Sequence, residues 1–137
     1  MIKHHFLDDI RDGIREKNDT LVKKRVKWIK SNPYYYKLLL KSLKFIIEKD
    51  SRVLHLRCGT GYLLNELKPK YGVGIDDSEL QIKDAEGTYK HLHFISGPVE
   101  DIKLDEKFDY ILITSIEDIV DIRAVLDGMK RCCHPHT

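Results

Sequence analysis

The stretch that decides the fold is Arg52-Val53-Leu54-His55-Leu56-Arg57-Cys58-Gly59-Thr60-Gly61, continued by Tyr62-Leu63-Leu64. Val53, Leu54 and Leu56 predict a buried strand, the Gly-x-Gly step breaks it, and Leu63, Leu64 and Leu67 resume at helical spacing. A strand feeding a glycine turn and then a helix forms the ligand-facing corner of a doubly wound α/β sheet. Glycine suits that corner because a Cβ would hold a ligand off the backbone, and because the turn can require positive φ. The start of the helix is also expected to offer unpaired N–H groups to a polar ligand.

Outward from this corner the strand–turn–helix pattern repeats. Strands are expected at about 52–56, 71–76, 91–95 and 108–114, with helices at about 61–68, 78–87 and 121–131. Strands alternating with helices imply parallel pairing and right-handed crossovers. The N-terminal side reads differently. Leu7, Ile10 and Ile14 predict a short helix within 1–18, weakened by Gly13, and Val22, Val26 and Ile29 mark a second helical stripe from Asp19 to Lys30. Asn32 suits an N-cap and Pro33 a first helical position, for a helix running to about Glu48. Two parts follow: a helical cap over 1–49 and an α/β core over 50–137.

Length and charge narrow the classes. The 137 residues suffice for one buried core, and a net charge of +2 selects no partner. The charge is uneven: residues 1–50 carry 13 Lys/Arg against 7 Asp/Glu, and the remainder 11 against 15. Such polarity serves a nucleic-acid or anionic-lipid contact, but a solvated amphipathic face is the preferred reading. Tyr34-Tyr35-Tyr36 likewise reads as a helix start packed on the domain, so nucleic acid is not an expected partner. No apolar run approaches the ~18–20 residues of a membrane span, and Met1-Ile2-Lys3-His4-His5 lacks the apolar core of a signal peptide. Cys58, Cys132 and Cys133 fit reduced thiols and a cytoplasmic setting. Cys132, Cys133, His134 and His136 crowd too closely for a tetrahedral zinc site, and no metal is expected.

The opening stretch resembles the first motif of class I S-adenosylmethionine (SAM) dependent methyltransferases, acidic-x-Gly-x-Gly-x-Gly. His55 stands at the acidic position and Arg57 at the first glycine. Gly74-Ile75-Asp76-Asp77-Ser78 resembles the second motif. Phe94 to Ile102 resembles the family's Gly-Asp-Ala-Glu-Asp-Leu region, with Pro98 in place of the Asp. Phe108 to Ser115 looks like the fourth strand, Asp118 to Leu126 like the next helix, and Arg131 to Thr137 like the turn before strand five, where the sequence stops. The resemblance spans about 33–137. Residues 1–32 and the segment from Trp28 to Tyr35 are similar, less specifically, to methyltransferase domains beside glycosyltransferase domains in some bacterial proteins.

The resemblance implies a Rossmann-like, partial parallel sheet of about four strands under a helical cap, with SAM as cofactor and an unidentified methyl acceptor. His55, Arg57, Cys58, Gly59, Thr60 and Gly61 would line the methionine side of the cofactor. Asp76, with Asp77, would meet the ribose, the Val99 N–H the adenine, and Thr114 and Ser115 the transfer region. No catalytic residue is assigned, since a sulfonium is electrophilic enough to need no obligatory base. The alternative is a catalytically silent methyltransferase-like interaction module, suggested by His55, Arg57 and Pro98. Arg57 is expected to disfavour the SAM cation, and Arg57→Gly to improve binding. Without a fifth strand beside it, strand four is expected to self-associate through Tyr110-Ile111-Leu112-Ile113.

Overall fold

The computed structural model describes residues 2–137, with side chains from His5 onward. Its elements are α1 (Ile2–Ser31), α2 (Pro33–Ile46), β1 (Arg52–Leu56), α3 (Tyr62–Leu67), β2 (Tyr71–Asp76), α4 (Glu79–Thr88), β3 (His93–Ser96), β4 (Tyr110–Ile113) and α5 (Ile122–Arg131). The four strands form one sheet in the order β3-β2-β1-β4, and every pairing is parallel. The chain therefore steps outward from β1 to β3, then returns to the other side of β1 for β4. The change of direction lies between β1 and β4, and ligand crevices of open α/β sheets form at such points, beyond the carboxyl ends of the strands.

Alternation along β1 builds a core on each face. Leu54 and Leu56 join Val73, Ile75, Val99, Ile102, Phe108 and Val125 on one side, under α5. Val53 joins Ile47, Leu64, Leu67 and Leu92 on the other, under α2 and α3. A strand buried on both faces must be apolar throughout, which is why this run reads continuously rather than in alternation. His55 is the one buried polar side chain of β1.

Several element boundaries differ from the sequence expectation. The two N-terminal stripes belong to one helix, α1, of 30 residues, about 45 Å long at 1.5 Å per residue. Gly13 does not interrupt it: the position faces open space, and an exposed glycine costs a helix only about 1 kcal/mol. Ion pairs Arg11–Asp8 (3.3 Å) and Arg15–Asp12 (2.8 Å) support that half at i,i+3 spacing. Asn32 sits at the N-cap of α2 without capping it. Its Nδ2 instead donates to the Trp28 carbonyl at 2.8 Å and closes α1. β3 begins two residues late because Leu92 N–H bonds the Tyr89 carbonyl in a turn. β4 is shorter than expected, but Phe108 forms an isolated parallel bridge with Cys133 at its entry. Beyond that bridge no strand among the described residues lies outside β4, so Tyr110–Ile113 carries the sheet edge.

The glycine corner takes the conformation its composition predicts. Gly59 and Gly61 have φ of 56° and 78°, and a Cβ on Gly61 would come within 2.7 Å of Phe94 Cζ. Gly61→Ala therefore combines left-handed strain with overpacking and should cost about 3 kcal/mol. A urea midpoint shifted down with an unchanged slope checks this; an unshifted midpoint refutes it.

Candidate functional site at the β1–β4 switch point

Arg57 follows β1 and adopts φ of 61°, a left-handed conformation rare for a residue with a side chain. Its guanidinium is buried between two carboxylates, Nη1 at 2.7 Å from Asp77 Oδ1 and Nη2 at 3.1 Å from Asp118 Oδ2. Lys17 of α1 pairs with the other oxygen of Asp118 at 3.1 Å. One buried side chain thus joins the ends of β1 and β2, the loop after β4 and, through Lys17, the cap. Burial raises the Asp77 carboxyl above its usual range, the Arg57 charge opposing that shift and Asp76 adding to it.

Asp76 braces the glycine corner from beneath. It is almost fully buried, its Oδ2 accepts the Gly59 N–H at 2.9 Å and its Oδ1 accepts the Ser78 N–H at 3.0 Å. The Gly61 N–H donates to the Cys58 carbonyl at 3.1 Å. Both glycine N–H groups are thus bonded within the protein. Ser78 accepts from the Gln81 N–H as the N-cap of α4, and its hydroxyl also donates to Asp19 of α1.

His55 and Thr114 meet across the switch point, Nε2 to Oγ1 at 2.9 Å. Burial lowers the His55 pKa to about 4, so the ring is neutral at physiological pH. Its Nδ1 has no partner. Burial pushes the Cys58 thiol well above its usual value, which leaves it protonated and unreactive.

A cavity of about 440 Å³ opens here. Its sheet-side wall brings together His55, Arg57, Cys58, Gly59, Thr60 and Thr114, with Ser115 and Glu117 beyond. Asp76, Asp77, Val99 and Gly61 do not line it; Val99 is packed in the core beside Leu54 and Ile75. The cap supplies the opposite wall, through Arg25 and Trp28 of α1 and Tyr35 and Tyr36 of α2. Trp28, Tyr35 and Tyr36 contact one another edge to face, with centroids 5.3–5.8 Å apart. The cavity is therefore polar toward the sheet and aromatic toward the cap.

The sequence reading missed Gln81. It is fully buried on α4, it lines the cavity, and its Oε1 lies 3.0 Å from where a Gly59 Cβ would be. Neither polar atom of its carboxamide has a partner. The available signal was a glutamine on the inner face of a helix otherwise buried through Ile82 and Ala85. Arg57 Nε and Asn18 Nδ2 are likewise buried without partners, while Asn18 Oδ1 accepts from Arg25 at 2.8 Å. Buried polar groups are normally bonded; of these four residues Gln81, His55 and Arg57 line the cavity and Asn18 does not.

Residues 47–137 match the family described as methyltransferase domain. The chain belongs to that family. No curated protein matches it. Among solved structures it is similar to a DhpI–SAH complex, with TM-score 0.78 and 16% identity over 93% of this chain and 65% of that one. A SAM-dependent methyltransferase of Thermotoga maritima gives TM-score 0.76 and 23% identity over 88% and 56%. One of Geobacter sulfurreducens in complex with S-adenosyl-L-homocysteine (SAH) gives 0.60 and 23% over 77% and 45%. At these identities the likeness establishes the fold, a Rossmann-like α/β methyltransferase architecture. The chain spans about half the length of the solved structures it matches.

Two outcomes follow from the buried charges. Arg57→Gly removes left-handed strain of about 1–2 kcal/mol, but it leaves Asp77 without its counter-charge and Asp118 with Lys17 alone, and breaking a buried pair costs about 3–5 kcal/mol. The second effect wins, so Arg57→Gly should lose about 2–3 kcal/mol in chemical denaturation; a more stable variant would refute the clasp. His55 binds its proton less readily folded than unfolded. Its contribution is therefore intact above pH 6.5 and is lost as pH falls from 6.5 toward 4, by up to about 3 kcal/mol. Replacing it in His55→Gln should flatten that part of the stability–pH curve, and parallel curves for the two proteins would contradict the assignment.

Proposed function

We propose that this chain is the cofactor-binding portion of a SAM-dependent methyltransferase, with the cavity between the cap and the switch point as the place of the cofactor. The observation that carries the reading is the Gln81 carboxamide, buried and unpartnered against the glycine corner. A donor and an acceptor left unbonded inside a cavity cost stability unless a ligand completes them. The cavity volume lies within the range of small-molecule sites. SAM and SAH carry amino, carboxylate and hydroxyl groups that the unpartnered atoms of Gln81, His55 and Arg57 suit.

Bound SAM supplies an activated methyl group on a sulfonium. The Arg57 charge is matched by Asp77 and Asp118, so it opposes a cation far less than a free guanidinium would. Arg57, Gly59, Thr60 and Gln81 would hold the cofactor. Asp76, occupied by the Gly59 and Ser78 N–H groups, is proposed to shape the corner, and it keeps lone pairs for a ribose only if the site opens. Thr114, Ser115 and Glu117 face the aromatic wall of the cap across the cavity, so the unidentified acceptor would sit between them. The chain's own contribution is orientation of the two reactants and exclusion of water.

A second reading, a silent interaction module, is favoured by one observation: Asp76 and Val99, expected at ribose and adenine, are both buried away from the cavity. Titration with SAM and with SAH separates the two. Saturable binding supports the first reading, and a folded protein that binds neither supports the second. Gln81→Leu sharpens the test, because it should leave the stability of the free protein unchanged or raise it by about 1 kcal/mol, while weakening SAH at least ~10-fold. A variant that loses stability and keeps full affinity would remove Gln81 from the site.

A further inference from the structure

We propose that the outer face of α2, with the adjoining end of α1, docks on an anionic lipid surface. The inference rests on this face alone and is independent of the methyltransferase reading.

Residues 20–47 contain Lys23, Lys24, Arg25, Lys27, Lys30, Lys37, Lys41 and Lys44 and no Asp or Glu. Lys30, Lys37, Lys41 and Lys44 line one groove of about 540 Å³, with Ile29 and Leu40 among its apolar members. None of the four lysines has an acidic partner among the described residues. Beside them on α2 stand large apolar side chains in open solvent: Phe45 is 91% exposed, Tyr34 78%, Ile46 63% and Leu38 53%. Tyr34, Leu38 and Phe45 follow the i, i+4, i+11 rhythm of a single stripe. The lysines at 37, 41 and 44 run one position behind, as a parallel basic stripe.

Each stripe alone has an ordinary explanation, since solvated lysines are common and single exposed apolar residues are normal. Together they select the occupant. A phosphodiester backbone would use the lysines and leave Leu38, Phe45 and Ile46 in water. An uncharged apolar partner would bury the latter against a strong positive field. An anionic bilayer satisfies both, because phosphate headgroups meet the ammonium groups while Phe45, Ile46 and Leu38 enter the acyl boundary. Among the described residues no helix is long and apolar enough to cross a membrane, so the contact is parallel to the surface.

Co-sedimentation of the full chain with vesicles tests the proposal. The protein should pellet with phosphatidylcholine–phosphatidylglycerol vesicles at about 70:30, and pellet far less with pure phosphatidylcholine. Raising the salt from about 0.1 to 0.5 M should release most of it. The triple variant Lys37→Glu/Lys41→Glu/Lys44→Glu should bind at least ~100-fold more weakly, since each basic residue at such a surface contributes roughly a factor of five. Phe45→Ser/Ile46→Ser should weaken binding at least ~10-fold. Both variants change exposed positions, and circular dichroism matching the wild type confirms that each is folded. No pelleting with anionic vesicles, equal pelleting with neutral ones, or full binding by either folded variant would overturn the proposal. A chain that binds a single-stranded oligonucleotide and ignores the vesicles would assign the face to nucleic acid instead.

Discussion

A single buried guanidinium fixes the geometry at the carboxyl ends of the strands. Arg57 accepts left-handed strain so that its two arms can reach Asp77 and Asp118. Strands in a parallel sheet are held along their length by regular hydrogen bonds, but the loops beyond their ends are not. Here the loop after β2 and the loop after β4 are tied to the same side chain, and Lys17 extends the tie to α1. Burial makes the three groups interdependent, because removing one partner leaves an uncompensated buried charge; Asp118 alone keeps a second counter-charge, Lys17. The family's glycine at this position gives a close approach of backbone to ligand; arginine here gives a rigid junction between loops.

Around that junction the polar side chains fall into two groups. Asp76, Ser78 and Asp77 are bonded and face inward, and they maintain the shape of the corner. Gln81, and one nitrogen each of His55, Arg57 and Asn18, are buried with nothing to bond. Arg11 Nε on α1 is another; natural interiors hold few such atoms, and those of Gln81, His55 and Arg57 belong to residues that line the cavity. Strained or unsatisfied groups concentrate where a protein works, because stability is lost there for the sake of a ligand.

The fold was legible because its decisive residues speak locally. Val53 to Leu56 with Gly59 and Gly61 encode strand and turn without reference to anything distant, and Asp121 and Ser78 cap their helices as their type dictates. The site was less legible because its logic is long-range. Asp76 reads as a ribose acceptor by its place at the end of β2, yet a backbone N–H seventeen residues away occupies one of its oxygens. Arg57 reads as a free charge in a glycine's place, since nothing near it in sequence announces Asp118. Gln81 was hidden among ordinary helix formers, and only burial shows that its amide is stranded. The two N-terminal stripes run on as one helix across the expected junction at Asn18 and Asp19, where the Asn18 side chain is buried, and past Gly13, which faces open space.

The division of the cavity between its two walls has a consequence for where this domain can be cut. Every element of the floor, from His55 to Glu117, lies inside the segment that carries the family signature, while Arg25, Trp28, Tyr35 and Tyr36 lie before it. An excised piece bounded by the signature would carry the sequence of every strand and of the glycine corner, and would lack both the roof and the helix that covers Val53, Leu64 and Leu67. The family match thus covers the floor of the cavity and not its roof. A relative that kept the corner and exchanged the helical preface would inherit the same scaffold with a different chamber.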